Sequence, residues 1–177
     1  VYLRSVNMIV SYTNDIDKYL ESSNIIDYTS KAVSDLATIL FDKSKDSLEY
    51  IKKAYEYVRD RIPHSADADE DAVTCSASEV LAAGHGICFA KAHLLAALLR
   101  CQGVPCGFCY QKLILDDEAA PVLIYHGLNG VYLDEQKKWI RLDARGNKEG
   151  VNAQFSIDKE QLAFPIRPPL CKLSKES

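Results

Sequence analysis

The stretch "GHGICFAKAHLLAALLRCQG", residues 84–103, sets a cysteine behind a glycine-rich turn and ahead of an unbroken run of helix formers. A helix that begins at Cys88 points its unpaired amides at the sulfur, which lowers a thiol that otherwise titrates near about 8.5. The Cys88 amide is placed to donate to an oxyanion, and Gly84 and Gly86 leave room for a carbonyl to approach the backbone. Such a nucleophile requires a base, and the base requires an orienting partner. Of the four histidines, His85 and His93 are local to the Cys88 helix, and His93, five residues on, is turned about 500° around the axis, away from the sulfur. His64 precedes an acidic segment and reads as a capping or loop residue. His126 differs: it lies inside "LIYHGLNGVYL", a strand pattern that would hold a base rigidly. Asp143 follows in the next strand pattern, "WIRLDARG", where antiparallel pairing would bring its carboxylate to the imidazole.

The remaining chemical candidates are weaker. The spacing of Cys106 and Cys109 in "CGFC" copies a redox or metal pair, but residues three apart on a strand face opposite sides. Cys101, Cys106 and Cys109 are therefore expected to be core or surface thiols. His85, Cys88 and His93 fail as a zinc set, since no helix presents all three to one point. Asp67, Asp69, Glu70 and Asp71 lack the spacing and glycine of a calcium loop and read as a solvated acidic segment. No metal or cofactor is expected. Lys91, one turn into the helix, either sits near the sulfur or extends outward, and Trp139 with Tyr110, Tyr125 and Tyr132 is expected in the sheet core.

The elements that must carry these residues follow from periodicity and punctuation. Residues 1–28 read as a strand or irregular lead-in. Thr29 or Ser30 caps a helix with Val33, Leu36, Ala37 and Leu40 on one face, and Asp46 or Ser47 opens a second with Leu48, Ile51, Tyr55 and Val58 in register, stopped by Pro63. "ASEVLAAG" is a short helix closed by Gly84. The helix from Cys88 to about Gln102 is apolar around nearly its whole circumference and belongs inside the domain. "CGFCYQKLIL", "VLIYHGLNGVYL" and "KWIRLDA" are short, rich in β-branched and aromatic residues, and separated by turn signals. Helices first and strands afterward predict an α+β fold with an antiparallel sheet packed on a central helix.

The 177 residues suit one domain, with 47% hydrophobic and 26% charged residues as in ordinary soluble proteins. A net charge of −4 with scattered Lys and Arg argues against a nucleic-acid partner. The apolar run "VNMIV" is too short for a membrane span or a signal segment, so no membrane partner is expected. Six cysteines are too sparse for a disulfide scaffold, which favours reduced thiols and a cytoplasmic location.

The ordered set of motifs resembles the transglutaminase-like superfamily, whose core has a glycine-flanked Cys opening a helix, a "GVP" turn, a His strand and a "W…LD" strand. Here these are "GHGICFAKAHLLAALLRCQGVPCGF", "YHGLNGVYL" and "WIRLDARGN", covering about residues 75–147, and the earlier "YVRDRIPHS" is similar to the helix-to-loop entry of the same family. The resemblance implies a papain-like architecture in which Cys88 is the acylating nucleophile, His126 the general base and later acid, and Asp143 the residue that fixes the imidazole tautomer. It also implies thiol-dependent acyl transfer on a peptide or protein amide, and hydrolysis (protease, amidase or deamidase) is the expected outcome. The alternatives are an inactive binding module and an amine-accepting cross-linking transglutaminase. A core over residues 46–147 is expected, with a lead-in over 1–45 and an extension over 148–177. Two departures stand out. Gly127 and Leu128 replace the frequent Ala and Trp after the His, which should open the wall beside the base. Ala144 and Arg145 replace Pro and Thr after the Asp, and Arg145 is expected to bind a substrate carboxylate or, preferably, to form a salt bridge at the rim.

Overall fold

A computed structural model describes residues 13–115 and 122–164. Residues 1–12 of the lead-in, and Cys171, lie outside them. The rest of the lead-in contains a 3₁₀ helix, Ile16–Leu20, capped by Asp15. Four α-helices follow among the described residues: α1 (Lys31–Asp42), α2 (Ser47–Arg61), α3 (Ala77–Ala83) and α4 (Cys88–Cys101). Their starts are where the capping residues predict them. Ser30 precedes α1, the Asp46 carboxylate accepts from the Glu49 amide to open α2, and Ser76 with Glu79 forms a reciprocal capping box on α3. Gly84 ends α3 with a φ of 76°, a left-handed conformation that costs glycine little.

Among the described residues the sheet is a three-stranded antiparallel meander in the order β1 (Cys106–Leu115), β2 (Val122–Leu133), β3 (Lys138–Leu142). Helix α4 is the centre of the molecule. It packs against α1, α2 and α3 on one side and the sheet on the other, and Leu94, Leu95, Ala96, Ala97, Leu98 and Leu99 are wholly buried. That burial explains its lack of a polar face. Val33 and Ala37 of α1 join the same core, as do Ile51, Ala54, Tyr55 and Val58 of α2. Polar ties fix the layers in register. Tyr50 Oη donates to the Leu98 carbonyl at 2.5 Å, and buried Asn129 of β2 donates from Nδ2 to the Ala92 carbonyl of α4 at 2.9 Å. The protein is thus α+β, with helices preceding an antiparallel sheet laid on a central helix.

Two expectations about the sheet are corrected. Tyr110 and Tyr125 are exposed. β2 runs past the start of α4: Phe89 meets Gly127, and Tyr125, two residues further along at about 3.4 Å each, lies beyond the helix end. Tyr125 instead carries the Lys112 ammonium over its ring, 5.7 Å from the centroid. Tyr132 and Trp139 are half-buried and pack on each other, with ring centroids 5.3 Å apart, rather than in the core. The wall beside Gly127 is likewise not open. A Cβ there would lie 2.7 Å from Phe89 Cδ1, so the aromatic ring occupies the space that the missing side chain leaves.

Candidate active site

Cys88 is the first residue of α4, following Ile87 as N-cap, and is half-buried. Its amide is one of those at the helix start that no helical carbonyl takes up. His126 sits in β2 opposite Gln111 of β1 and is 3% exposed. Asp143 comes directly after β3, whose Leu142 pairs with Asn129. Continuing that register sets Asp143 across from Leu128 and diagonal to His126 on the same face, within reach of a cross-strand contact. His126 Nε2–H donates to Asp143 Oδ2 at 2.8 Å, which turns Nδ1 toward Cys88, and the imidazole and thiol share a hydrogen bond. The three residues singled out from the sequence therefore form one hydrogen-bonded line.

Asp143 is 1% exposed and fully engaged. Besides His126, Oδ2 accepts from the Ala163 amide at 3.0 Å and Oδ1 from the Arg145 amide at 3.1 Å. A carboxylate held by three N–H donors cannot rotate, and so neither can the ring it orients. Phe164 stands edge-on to that ring, with centroids 5.0 Å apart. Burial alone would raise the Cys88 thiol. Hydrogen bonds from His126, His64 and the Gly127 amide outweigh it and bring the thiol down to about 6. Burial would lower His126, but its bonds to Asp143 and Cys88 raise it to about 9. Between those values the pair rests as thiolate and imidazolium.

The other candidates fall elsewhere. His93 Nδ1 pairs with the Cys75 carbonyl at 2.8 Å, and its ring packs edge-on to Phe108. Cys106 is buried beside Asn129, with Nδ2 donating to its sulfur at 3.5 Å, whereas Cys109 faces Gly130. Lys91 reaches neither the sulfur nor solvent. It is wholly buried and donates to the backbone carbonyls of Ile62, Arg145 (2.8 Å) and Arg59 (3.4 Å), binding the end of α2 and the turn after β3 to α4. Arg145 pairs with Asp67, whose Oδ1 also accepts from Lys148 at 2.6 Å. These two cations hold the Asp67 carboxyl well below the usual range, hydrogen bonding to Arg145 being the larger effect. Arg145 thus forms the expected salt bridge, from a buried position rather than at the rim, and Asp67 is drawn out of the acidic segment to make it. Gly86 does not leave room for substrate: it is buried, and its backbone is bonded to Pro63 and Ser65.

Three residues around the site were not assigned to it from the sequence. His64, expected as a capping or loop residue, caps the short 3₁₀ turn by accepting from the Ala66 amide and also hydrogen-bonds the Cys88 sulfur. Ala163 and Phe164 complete the surroundings of His126 from a segment with no regular structure to predict.

Comparison with known proteins bears on the family and the fold. The sequence profile described as the transglutaminase-like superfamily matches residues 34–144. No curated protein matches the sequence significantly. Among solved structures, the chain is similar to a candidate cysteine protease from Cytophaga hutchinsonii, with a TM-score of 0.58 and 20% identity over 75% of this chain and 43% of that one. It is also similar to the periplasmic domain of TgpA from Pseudomonas aeruginosa, bound to ethylmercury, with a TM-score of 0.55 and 14% identity over 73% and 48% of the two chains. The chain thus spans less than half the length of either structure, and the likeness extends to the fold. With the profile covering more than half its length, this chain belongs to the transglutaminase-like superfamily.

Proposed function

We propose that the protein is a thiol-dependent acyl-transfer enzyme that cleaves peptide or protein amide bonds, with Cys88 as nucleophile, His126 as acid and base, and Asp143 as its orienter. The observation that carries this reading is the line from the Asp143 carboxylate through His126 to a thiol that N–H donors ionise near neutrality. A half-buried cysteine with no catalytic task would be expected to stay protonated.

The thiolate attacks the amide carbonyl, forming an S–C bond while the carbonyl pair moves to oxygen. The imidazolium of His126 then gives its proton to the departing amine, leaving a thioester on Cys88 and a neutral imidazole. Water attacks the thioester as His126 takes back a proton, and the carboxylic acid leaves with the thiolate regenerated. Asp143 holds Nε2–H throughout, so that Nδ1 always faces the reaction. Water is assigned as the acceptor because, unlike an amine-bearing protein, it needs no second docking groove.

The test is cleavage of a mixed peptide library followed by mass spectrometry, with an added primary amine as competing acceptor. New carboxyl termini or deamidated side chains that vanish in Cys88→Ala are expected. Amine incorporation in preference to hydrolysis would assign transamidation instead, and no turnover with an unreactive Cys88 would leave a binding module.

A further inference from the structure

Two imidazoles contact one sulfur, and they are wired with opposite polarity. His126 gives its Nε2–H to a carboxylate and offers Nδ1 to the thiol. His64 has the reverse arrangement: its Nδ1 accepts the Ala66 amide at 3.3 Å, so in the neutral ring the hydrogen sits on Nε2, the nitrogen left for Cys88. In that tautomer Nε2 carries a hydrogen and faces the sulfur as a donor. Resting on the acyl-transfer reading above, we propose that His64 is a fourth catalytic residue, whose Nε2–H holds the sulfur at rest and stabilises the carbonyl oxygen when the negative charge moves there.

The support beneath His64 is rigid in the way such a donor requires. Pro63 turns the chain out of α2, and His64 then forms a parallel bridge with Gly86, two residues before the nucleophile. The Ser65 amide donates to the Gly86 carbonyl and the Gly86 amide to the Pro63 carbonyl, each at 3.2 Å. Ser65 is buried, and its Oγ pairs with Nδ1 of buried His85 at 3.0 Å. The loop carrying His64 is therefore fastened to the same turn that opens α4, and the distance from His64 to Cys88 does not depend on the exposed part of the loop.

On attack, the oxygen of the adduct is two bonds from the sulfur, so a donor already on the sulfur reaches it with a small shift. The Cys88 amide at the helix start supplies a second donor. No proton leaves His64: the electron pair reaches oxygen, is held there by two N–H groups, and returns as the C–N bond breaks and His126 protonates the amine.

Two small reagents separate this role from thiol activation. p-Nitrophenyl acetate acylates the thiolate through a tetrahedral oxyanion, whereas iodoacetamide alkylates it by displacement with no oxyanion. The rates at Cys88 are measured by peptide mass mapping and taken to full ionisation from each variant's own pH profile. His64→Ala is expected to lower the acylation-to-alkylation ratio by about tenfold or more, and His64→Gln, which keeps an N–H donor, to restore most of it. His64→Ala removes the acceptor of the Ala66 amide, but the backbone bridge and the Ser65–His85 pair do not use the imidazole and keep the loop in place in both variants. An unchanged ratio in His64→Ala, or no recovery in His64→Gln, overturns the proposal. The ratio is independent of the function reading, which fails separately if the His126→Ala variant alkylates with the wild-type pH profile.

Discussion

Burial raises the thiols of Cys101, Cys106 and Cys109, that of Cys106 to about 12, while Cys88 moves the other way. The difference is the number of N–H donors each sulfur meets, because an ionised sulfur in a dry site survives only where hydrogen bonds replace water. Alkylation of Cys88 by iodoacetamide is therefore expected to rise through a pH of about 6 and then level off. In His126→Ala the midpoint should move upward past the ordinary thiol value of about 8.5, since burial remains and the main donor is gone. Amide cleavage should show a second limb. It rises as the thiol ionises near 6 and falls as the imidazolium loses its proton near 9, because the leaving amine then finds no acid. A rate that keeps climbing above pH 9 would contradict the assignment of His126 as that acid.

At the scale of elements, the site is a meeting of one helix start with one strand, and their spacing is set by Phe89 on Gly127. The Gly127→Ala substitution puts a methyl 2.7 Å from Phe89 Cδ1. It should cost about 1–3 kcal/mol, read as a loss of about 2–4 °C in melting temperature per kcal/mol. Because Phe89 is the neighbour of Cys88, alkylation of Cys88 should slow as well. Adding Phe89→Ala should relieve the overlap and recover part of the rate; if the single variant is as stable as wild type, Phe89 does not set the spacing. Gly127 was legible in the sequence only as a missing side chain. The ring that fills the gap lies 38 positions earlier, and no local pattern connects the two.

For the whole molecule, Lys91 is the tie among α2, α4 and the turn after β3, and its three carbonyl partners are all backbone. Lys91→Met keeps the length and the packing but leaves those carbonyls without donors in a buried place. A loss on the order of 3 kcal/mol is expected, seen as a lower urea midpoint at unchanged slope. A variant as stable as wild type would mean that the cost of burying the ammonium cancels its hydrogen bonds. What the sequence determined by itself is what short-range chemistry encodes: the caps at Asp46, Ser76 and Gly84, the apolar helix behind Cys88, and the strand patterns carrying His126 and Asp143. These were legible because capping and periodicity act within a few residues. The tertiary structure alone decided that His64 meets the sulfur, that Ala163 steadies Asp143, that Lys91 is buried and that Tyr110 and Tyr125 are exposed. Each of those depends on where elements end relative to one another in space, a property of packing between residues distant in the chain.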